Sequence, residues 1–423
     1  MKFENSRAFA EQLDRQDGLA YMRANFHIPC GDDGLEKIYL CGNSLGLQPK
    51  SVRLQVDEIL DSWASNGVDG HFAGEHPWLP YHEFLAEKLA NVVGAKPIEV
   101  VTMNSLTVNL HLMMVSFYRP TQHRFKVLLE KQVFPSDRYA VLSQIGFHGK
   151  NPSEALIEVG PRPGENTIRN KDLLETIDRE GEGIALILFP GVQYYTGQAF
   201  DLAEIAAAGQ RKGCAVGFDL AHAAGNLPLK LHDSGADFAV WCSYKYLNAG
   251  PGAVGGCFVH ERHASDFDLP RFAGWWGHDK TSRFEMPDQF SILSGAEGWQ
   301  ISNPQILSMA PLLASLDLFQ RAGMEQLHAK SQRLTNYLAY LLEKVCGDRV
   351  SIITPAAPQA RGAQISISVN TRPQDGKRIH EQLGLARVVC DWREPNVIRV
   401  APVPLYNRFV DLFEFVKILQ TIL

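Results

Sequence analysis

A mostly parallel α/β sheet with helices on both faces, followed by a smaller α+β unit, is the fold this sequence predicts, and three observations predict it. Residues 184–189 (IALILF), 214–218 (CAVGF) and 238–242 (FAVWC) are short, unbroken apolar runs, the mark of strands buried on both faces. Between the first two lies a helical segment, 201–213, with Asp201 at its N-cap position and Gly213 at its end. Strand, helix, strand in alternation favours parallel pairing, because a crossover helix lets successive strands run the same way. Third, the pattern changes after residue 305. Two long helical periodicities, 305–321 and 324–345, lead to strand-like runs at 364–369 (QISISV) and 397–401 (VIRVA).

An earlier helix is read from Leu106, Leu110, Met113, Met114 and Phe117, which recur at spacings of three and four. The organisation expected is an arm over residues 1–50 packed with the small domain, a large domain over 51–310 and a small carboxy-terminal domain over 311–423. At 423 residues the chain exceeds what one core sustains, which fits two domains.

Composition removes several classes of function. With 47 acidic against 41 basic residues there is no cationic excess to neutralise a phosphate backbone or an anionic membrane, so nucleic acid and membrane are not expected partners. The amino terminus lacks the apolar segment of a signal peptide, and the longest apolar stretch, near 106–118, is interrupted by Asn109 and His111. Seven cysteines, odd in number and without a CxxC pair, suit reduced thiols in a cytoplasm. No metal is expected: Phe258-Val259-His260-Glu261-Arg262-His263 lacks the i, i+4 histidines of HExxH and reads as a solvated loop. Gly42-Asn43-Ser44-Leu45-Gly46 matches neither a dinucleotide fingerprint nor a P-loop, and no GxSxG is present.

Three features carry chemistry. Ser243-Tyr244-Lys245-Tyr246 follows an apolar strand and precedes the Gly-rich Asn248-Ala249-Gly250-Pro251-Gly252, which places Lys245 at the sheet edge where α/β proteins bind ligands. Lys245 alone reads equally as a lysine snorkelling at the sheet rim. Asp219 ends another apolar strand in GFDLAHAAG, where a carboxylate needs a cation to offset its burial. A protonated pyridine nitrogen is such a cation; a helix N-cap is the plainer alternative for Asp219. His222, three residues on, can stack over a ring or orient Asp219. The helix start near Thr107, with Ser105 beside it, offers unpaired backbone N–H groups as an anion seat, or is an ordinary cap.

The chain resembles the kynureninase family, pyridoxal-phosphate enzymes of fold type I in the aminotransferase class V group. The resemblance spans nearly its whole length, through LCGNSLGL (40–47), LTVNLH (106–111), FPSD (134–137), YTGQ (195–198), GFDLAHA (217–223), SYKYLNAG (243–250), GWWGH (274–278), ISNP (301–304) and RVAP (399–402). It implies that Lys245 carries the cofactor covalently, that Asp219 holds the ring nitrogen, and that Leu106 and Thr107 contact the phosphate. It also implies that Phe134 stacks on the ring within the loop Phe134-Pro135-Ser136-Asp137, that His222 touches the cofactor, and that Tyr244 and Trp275 bind phosphate. Trp275 and Asn303 would come from the second subunit of a homodimer. Arg399 would take the substrate's α-carboxylate, a task suited to a forked guanidinium, and Ser44, His71 and Asn303 would lie near its aromatic ring. Pro190 stands where relatives often carry serine or threonine.

The implied reaction is hydrolytic cleavage of the Cβ–Cγ bond of kynurenine or 3-hydroxykynurenine, giving anthranilate or 3-hydroxyanthranilate plus alanine, as in tryptophan catabolism and NAD biosynthesis. Lys245 acts as base, and Tyr244 is the candidate proton carrier. Two rivals remain on the same fold. A cysteine desulfurase needs a mobile cysteine, for which Cys390 is the only tempting position, and its setting VVCDW reads as a packed strand end. A non-catalytic binding protein has no reason to keep lysine, aspartate and arginine together.

Overall fold

A computed structural model describes residues 2–370 and 373–423. The large sheet has seven strands: β1 (Val100–Thr102), β2 (Lys126–Glu130), β3 (Leu156–Val159), β4 (Ile184–Pro190), β5 (Ala215–Asp219), β6 (Phe238–Cys242) and β7 (Gly255–Val259). Their spatial order is β1-β7-β6-β5-β4-β2-β3, with only β7 antiparallel to its neighbours. The three strands expected from apolar runs are β4, β5 and β6, adjacent and parallel. The crossover helix runs over Leu202–Arg211, with the Asp201 carboxylate accepting from the Glu204 N–H at 3.0 Å, as a cap should.

Side chains along these strands alternate between two cores. Leu128, Ile187, Phe189, Phe218 and Trp241 face one layer of helices, whereas Val127, Leu186, Leu188, Phe238 and Val240 face the other. A sheet buried on both faces therefore reads as continuous apolar sequence. Close packing of β5 on β6 depends on Gly217, whose added Cβ would lie 2.1 Å from the Phe238 ring.

Strand β7 was not legible, because it opens on two glycines just after another Gly-rich turn and one of its two partners, β1, lies far away in sequence. It corrects the reading of residues 258–263 as a solvated loop. Phe258 and Val259 are buried in β7, and His263 and Arg262 both hydrogen-bond the buried Asp237.

A second sheet, fully antiparallel, orders Asp391–Arg393, Val397–Val400, Ile365–Val369 and Val350–Ile352. Its core gathers the helices Met324–Val345 and Phe409–Ile422 and also the first helix, Arg7–Arg15. Asp14 of that first helix accepts the Phe409 and Val410 N–H groups, capping the last helix of the chain across the fold. Among the described residues no helix is long and apolar enough to cross a membrane.

Candidate functional site

Parallel strands that share a direction bring their carboxy ends to one edge, and there the chemistry-bearing residues meet. Glu130 ends β2, Pro190 ends β4 and Asp219 ends β5, while Lys245 follows β6 by three residues. These groups line a cleft of about 580 Å³, together with Leu106, Thr107, Phe134, Ser136, Asp137, His222 and Tyr244. Behind Lys245 the chain turns sharply. Asn248 adopts φ +52° and its N–H donates to the Lys245 carbonyl at 3.0 Å. Gly46 packs so closely on this turn that a Cβ there would come 2.3 Å from the Lys245 carbonyl oxygen, so the amino-terminal segment braces the lysine.

The Lys245 amine lies 3.0 Å from His222 Nε2 and 5.9 Å from the centre of the Phe134 ring. Burial, and then the nearby Lys245 charge, hold His222 well below the ordinary histidine range. The neutral ring accepts at Nε2, which leaves Nδ1 as donor, and that buried nitrogen has no protein partner. His222 thus touches the lysine; the alternative of its orienting Asp219 is not realised.

Asp219 is 8% exposed, and its Oδ1 accepts the Ala221 N–H at 2.6 Å. Asp137 lies in hydrogen-bond contact with it. Burial, then the Asp219 charge and the contact itself, lift the Asp137 carboxyl well above its usual range. A third carboxyl, Glu130, is pushed up to about 8 by burial and by the Asp219 charge, against a weak 3.5 Å bond from Gln193. Sequence reasoning missed it, although it ends an apolar run just as Asp219 does. Three buried carboxyls thus face one amine in this cleft. A raised carboxyl stabilises the fold below its unfolded pKa and loses that contribution as pH rises through the folded value. Thermal melts of cofactor-stripped protein should therefore fall between pH 4.5 and about 8 in the parent and fall less in Glu130→Gln.

An anion seat lies at the start of two helices. Leu106–Phe117 and Pro135–Phe147 begin at this edge, with Pro135 as the first residue of the second, and the Thr107 and Ser136 hydroxyls are 2.8 Å apart. The Ser105 hydroxyl makes no cap bond, so the first-turn N–H groups stay unclaimed by it.

The remaining expected residues lie outside the lining of this cleft. Arg399 is buried one layer away, donating to the Tyr194 carbonyl at 2.5 Å and ion-paired with Asp391. The Ser44 hydroxyl donates to that same Asp391 at 2.7 Å. His71 bonds the Val68 carbonyl and packs edge-on against Trp78. Trp275 is 40% exposed, its indole N–H donating to the Arg283 carbonyl, and Asn303 is exposed.

Pyridoxal phosphate fits this donor set. Its pyridinium would supply the cation that the buried Asp219–Asp137 pair lacks, Thr107, Ser136 and the helix starts would hold its phosphate, and Lys245 would hold its aldehyde. Unpartnered buried atoms, Asp137 Oδ1, Glu130 Oε2 and His222 Nδ1, line the same cleft.

The architecture recurs in solved structures. A lyase with glycine covalently linked to its pyridoxal-phosphate cofactor aligns over 90% of this chain and 96% of its own, with TM-score 0.74 and 19% identity. A cysteine desulfurase from Escherichia coli aligns over 96% and 98%, with TM-score 0.76 and 16% identity. The fold is that of the fold-type-I pyridoxal-phosphate enzymes, and the cleft's donor set suits that cofactor. Sequence comparison narrows the class. A kynureninase from Myxococcus xanthus is 58% identical over 99% of this chain and 97% of its own length, and one from Koribacter versatilis is 55% identical over 98% and 97%. Residues 327–419 match the kynureninase C-terminal domain. The chain belongs to the kynureninase family.

Proposed function

We infer that this protein hydrolyses the Cβ–Cγ bond of L-kynurenine, or of its 3-hydroxy form, releasing anthranilate or 3-hydroxyanthranilate and L-alanine. The observation that carries this reading is the cleft itself: an amine, a carboxylate pair and an anion seat at one sheet edge, in a chain of this family. When bound, pyridoxal phosphate supplies an electron sink for charge released at the substrate's α-carbon. The protein's groups do the rest. Arg399 takes the α-carboxylate, Asp219 keeps the ring nitrogen protonated, and Phe134 covers the ring face. Lys245 removes the α-proton, acting as base. Water adds to the γ-carbonyl carbon and gives up a proton, the Cβ–Cγ bond breaks with its electron pair going to Cβ, Tyr244 delivers a proton to Cβ, and Lys245 returns the α-proton to complete alanine.

A desulfurase reading is not favoured, because Cys390 is 8% exposed and burial raises its thiol far above the ordinary value. Homodimer formation, with Trp275 and Asn303 completing the partner's site, is supported by the absence of both from the lining of this chain's own cleft and by the exposed Phe272, Trp275 and Phe284. All seven cysteines are free thiols, which supports a cytoplasmic setting. The division into an arm (1–50), a large domain (51–310) and a small domain (311–423) is supported by the separate core of the second sheet. His71 and Asn303 are compatible with the hydroxylated ring. Fluorescence of released anthranilate tests the reaction, and kcat/KM for both substrates should favour 3-hydroxykynurenine. Sulfide from cysteine without anthranilate from kynurenine would contradict the reading.

A further inference from the structure

The guanidinium assigned to the substrate's carboxylate already holds a carboxylate of its own chain. Arg399 is 1% exposed, and both forked nitrogens are engaged, Nη1 by the Tyr194 carbonyl and Nη2 by Asp391 Oδ2. The contact is built into the sheet, since Asp391 and Arg399 stand directly opposite in the antiparallel pair of Asp391–Arg393 with Val397–Val400. Substrate cannot take the fork while Asp391 occupies it. Asp391 nonetheless has other partners within reach. Ser44 Oγ donates to Oδ2 at 2.7 Å, and Arg393 Nη1 lies 3.1 Å from Oδ1, on a side chain that is 37% exposed and also donates to the Trp392 carbonyl at 3.1 Å. Arg399 Nε is buried without a partner, so the guanidinium keeps a donor for an incoming anion.

We propose that Asp391 is an internal competitor for the carboxylate seat on Arg399, and that substrate binding is an exchange of anions. The incoming α-carboxylate replaces Asp391 on Arg399, and Asp391 stays with Arg393 and Ser44, which already hold it. No charge is left unpaired at either stage, which is why the arginine can wait buried in the absence of substrate. A ligand without a carboxylate cannot drive the exchange and gains nothing from it. The affinity of carboxylate ligands is lowered by the fraction of molecules in which Asp391 holds the seat. This inference rests on reading Arg399 as the carboxylate receiver.

The test titrates the cofactor-loaded enzyme with L-alanine and with L-alaninamide, which lacks the carboxylate, following the visible absorbance of the cofactor. Asp391→Asn should bind L-alanine about three- to tenfold more tightly, with L-alaninamide unchanged. An unchanged or weaker Kd for L-alanine would overturn the exchange and make Asp391 a residue that merely orients Arg399. Arg393→Gln removes the alternative seat and should weaken L-alanine by a similar factor; if Asp391→Asn does not fold, this variant decides, and unchanged or tighter binding overturns the proposal. Arg399→Gln separates the two readings. If it keeps the parent's preference for alanine over alaninamide, Arg399 is not the receiver and both readings fall. If it loses that preference while Asp391→Asn leaves Kd unchanged, the exchange alone falls.

Discussion

Lys245→Ala should lower turnover of kynurenine by at least about a thousandfold, the effect expected when a covalent anchor and a general base are lost together. Lys245 is the only amine lining the cleft, it sits 3.0 Å from a neutral His222, and its backbone is fixed by the Asn248 turn and the close approach of Gly46. Among the described residues no second lysine lines the cleft. Folding should be little affected, because the side chain forms no ion pair among the described residues and the variant removes atoms from an open cleft rather than from a core. Far-ultraviolet circular dichroism alongside the assay checks this. A variant that turned over normally would remove the amine from the mechanism.

Asp219→Asn should reduce kcat by about a hundredfold or more while leaving the protein folded. The amide oxygen can still accept the Ala221 N–H, so the local turn survives, but the negative charge that keeps a pyridine nitrogen protonated is gone. The neighbouring carboxyl provides an internal control. Burial and then the Asp219 charge raise the Asp137 carboxyl well above its usual range, and an asparagine there mimics the uncharged form this favours. Steady-state rates should therefore rank the parent above Asp137→Asn and Asp137→Asn well above Asp219→Asn. Equal losses in the two variants would mean that the charge is shared rather than localised.

Much of this was legible in the sequence. A strand buried on both faces must be apolar throughout, so β4, β5 and β6 declared themselves, and a charged residue ending such a run marks a sheet edge; Lys245 and Asp219 were found that way. Glu130 ends β2 by the same rule, but the run KVLLE holds only three apolar residues, Val127 to Leu129, between two charged ones. The Gly-rich β7 carried no such run. Pairing of Asp391 with Arg399 depends on the register of an antiparallel hairpin, and one residue of slip would turn either side chain to the other face. That Trp275 and Asn303 lie outside the cleft lining was not legible either, since exposed loop residues carry no pattern that ties them to one cleft. The stretch 258–263 misleads for a simpler reason: Arg262 and His263, polar residues beyond Val259, are drawn inward by Asp237, a buried carboxylate that must be satisfied.

The central claim is that one amine, Lys245, carries the cofactor at the edge of the large sheet. Borohydride reduction of the purified yellow protein, followed by proteolysis and mass spectrometry, reads this directly. The account predicts loss of the visible band and a single pyridoxyl-modified peptide containing Ser243-Tyr244-Lys245-Tyr246. Modification at another lysine, or a visible band indifferent to borohydride, would contradict it.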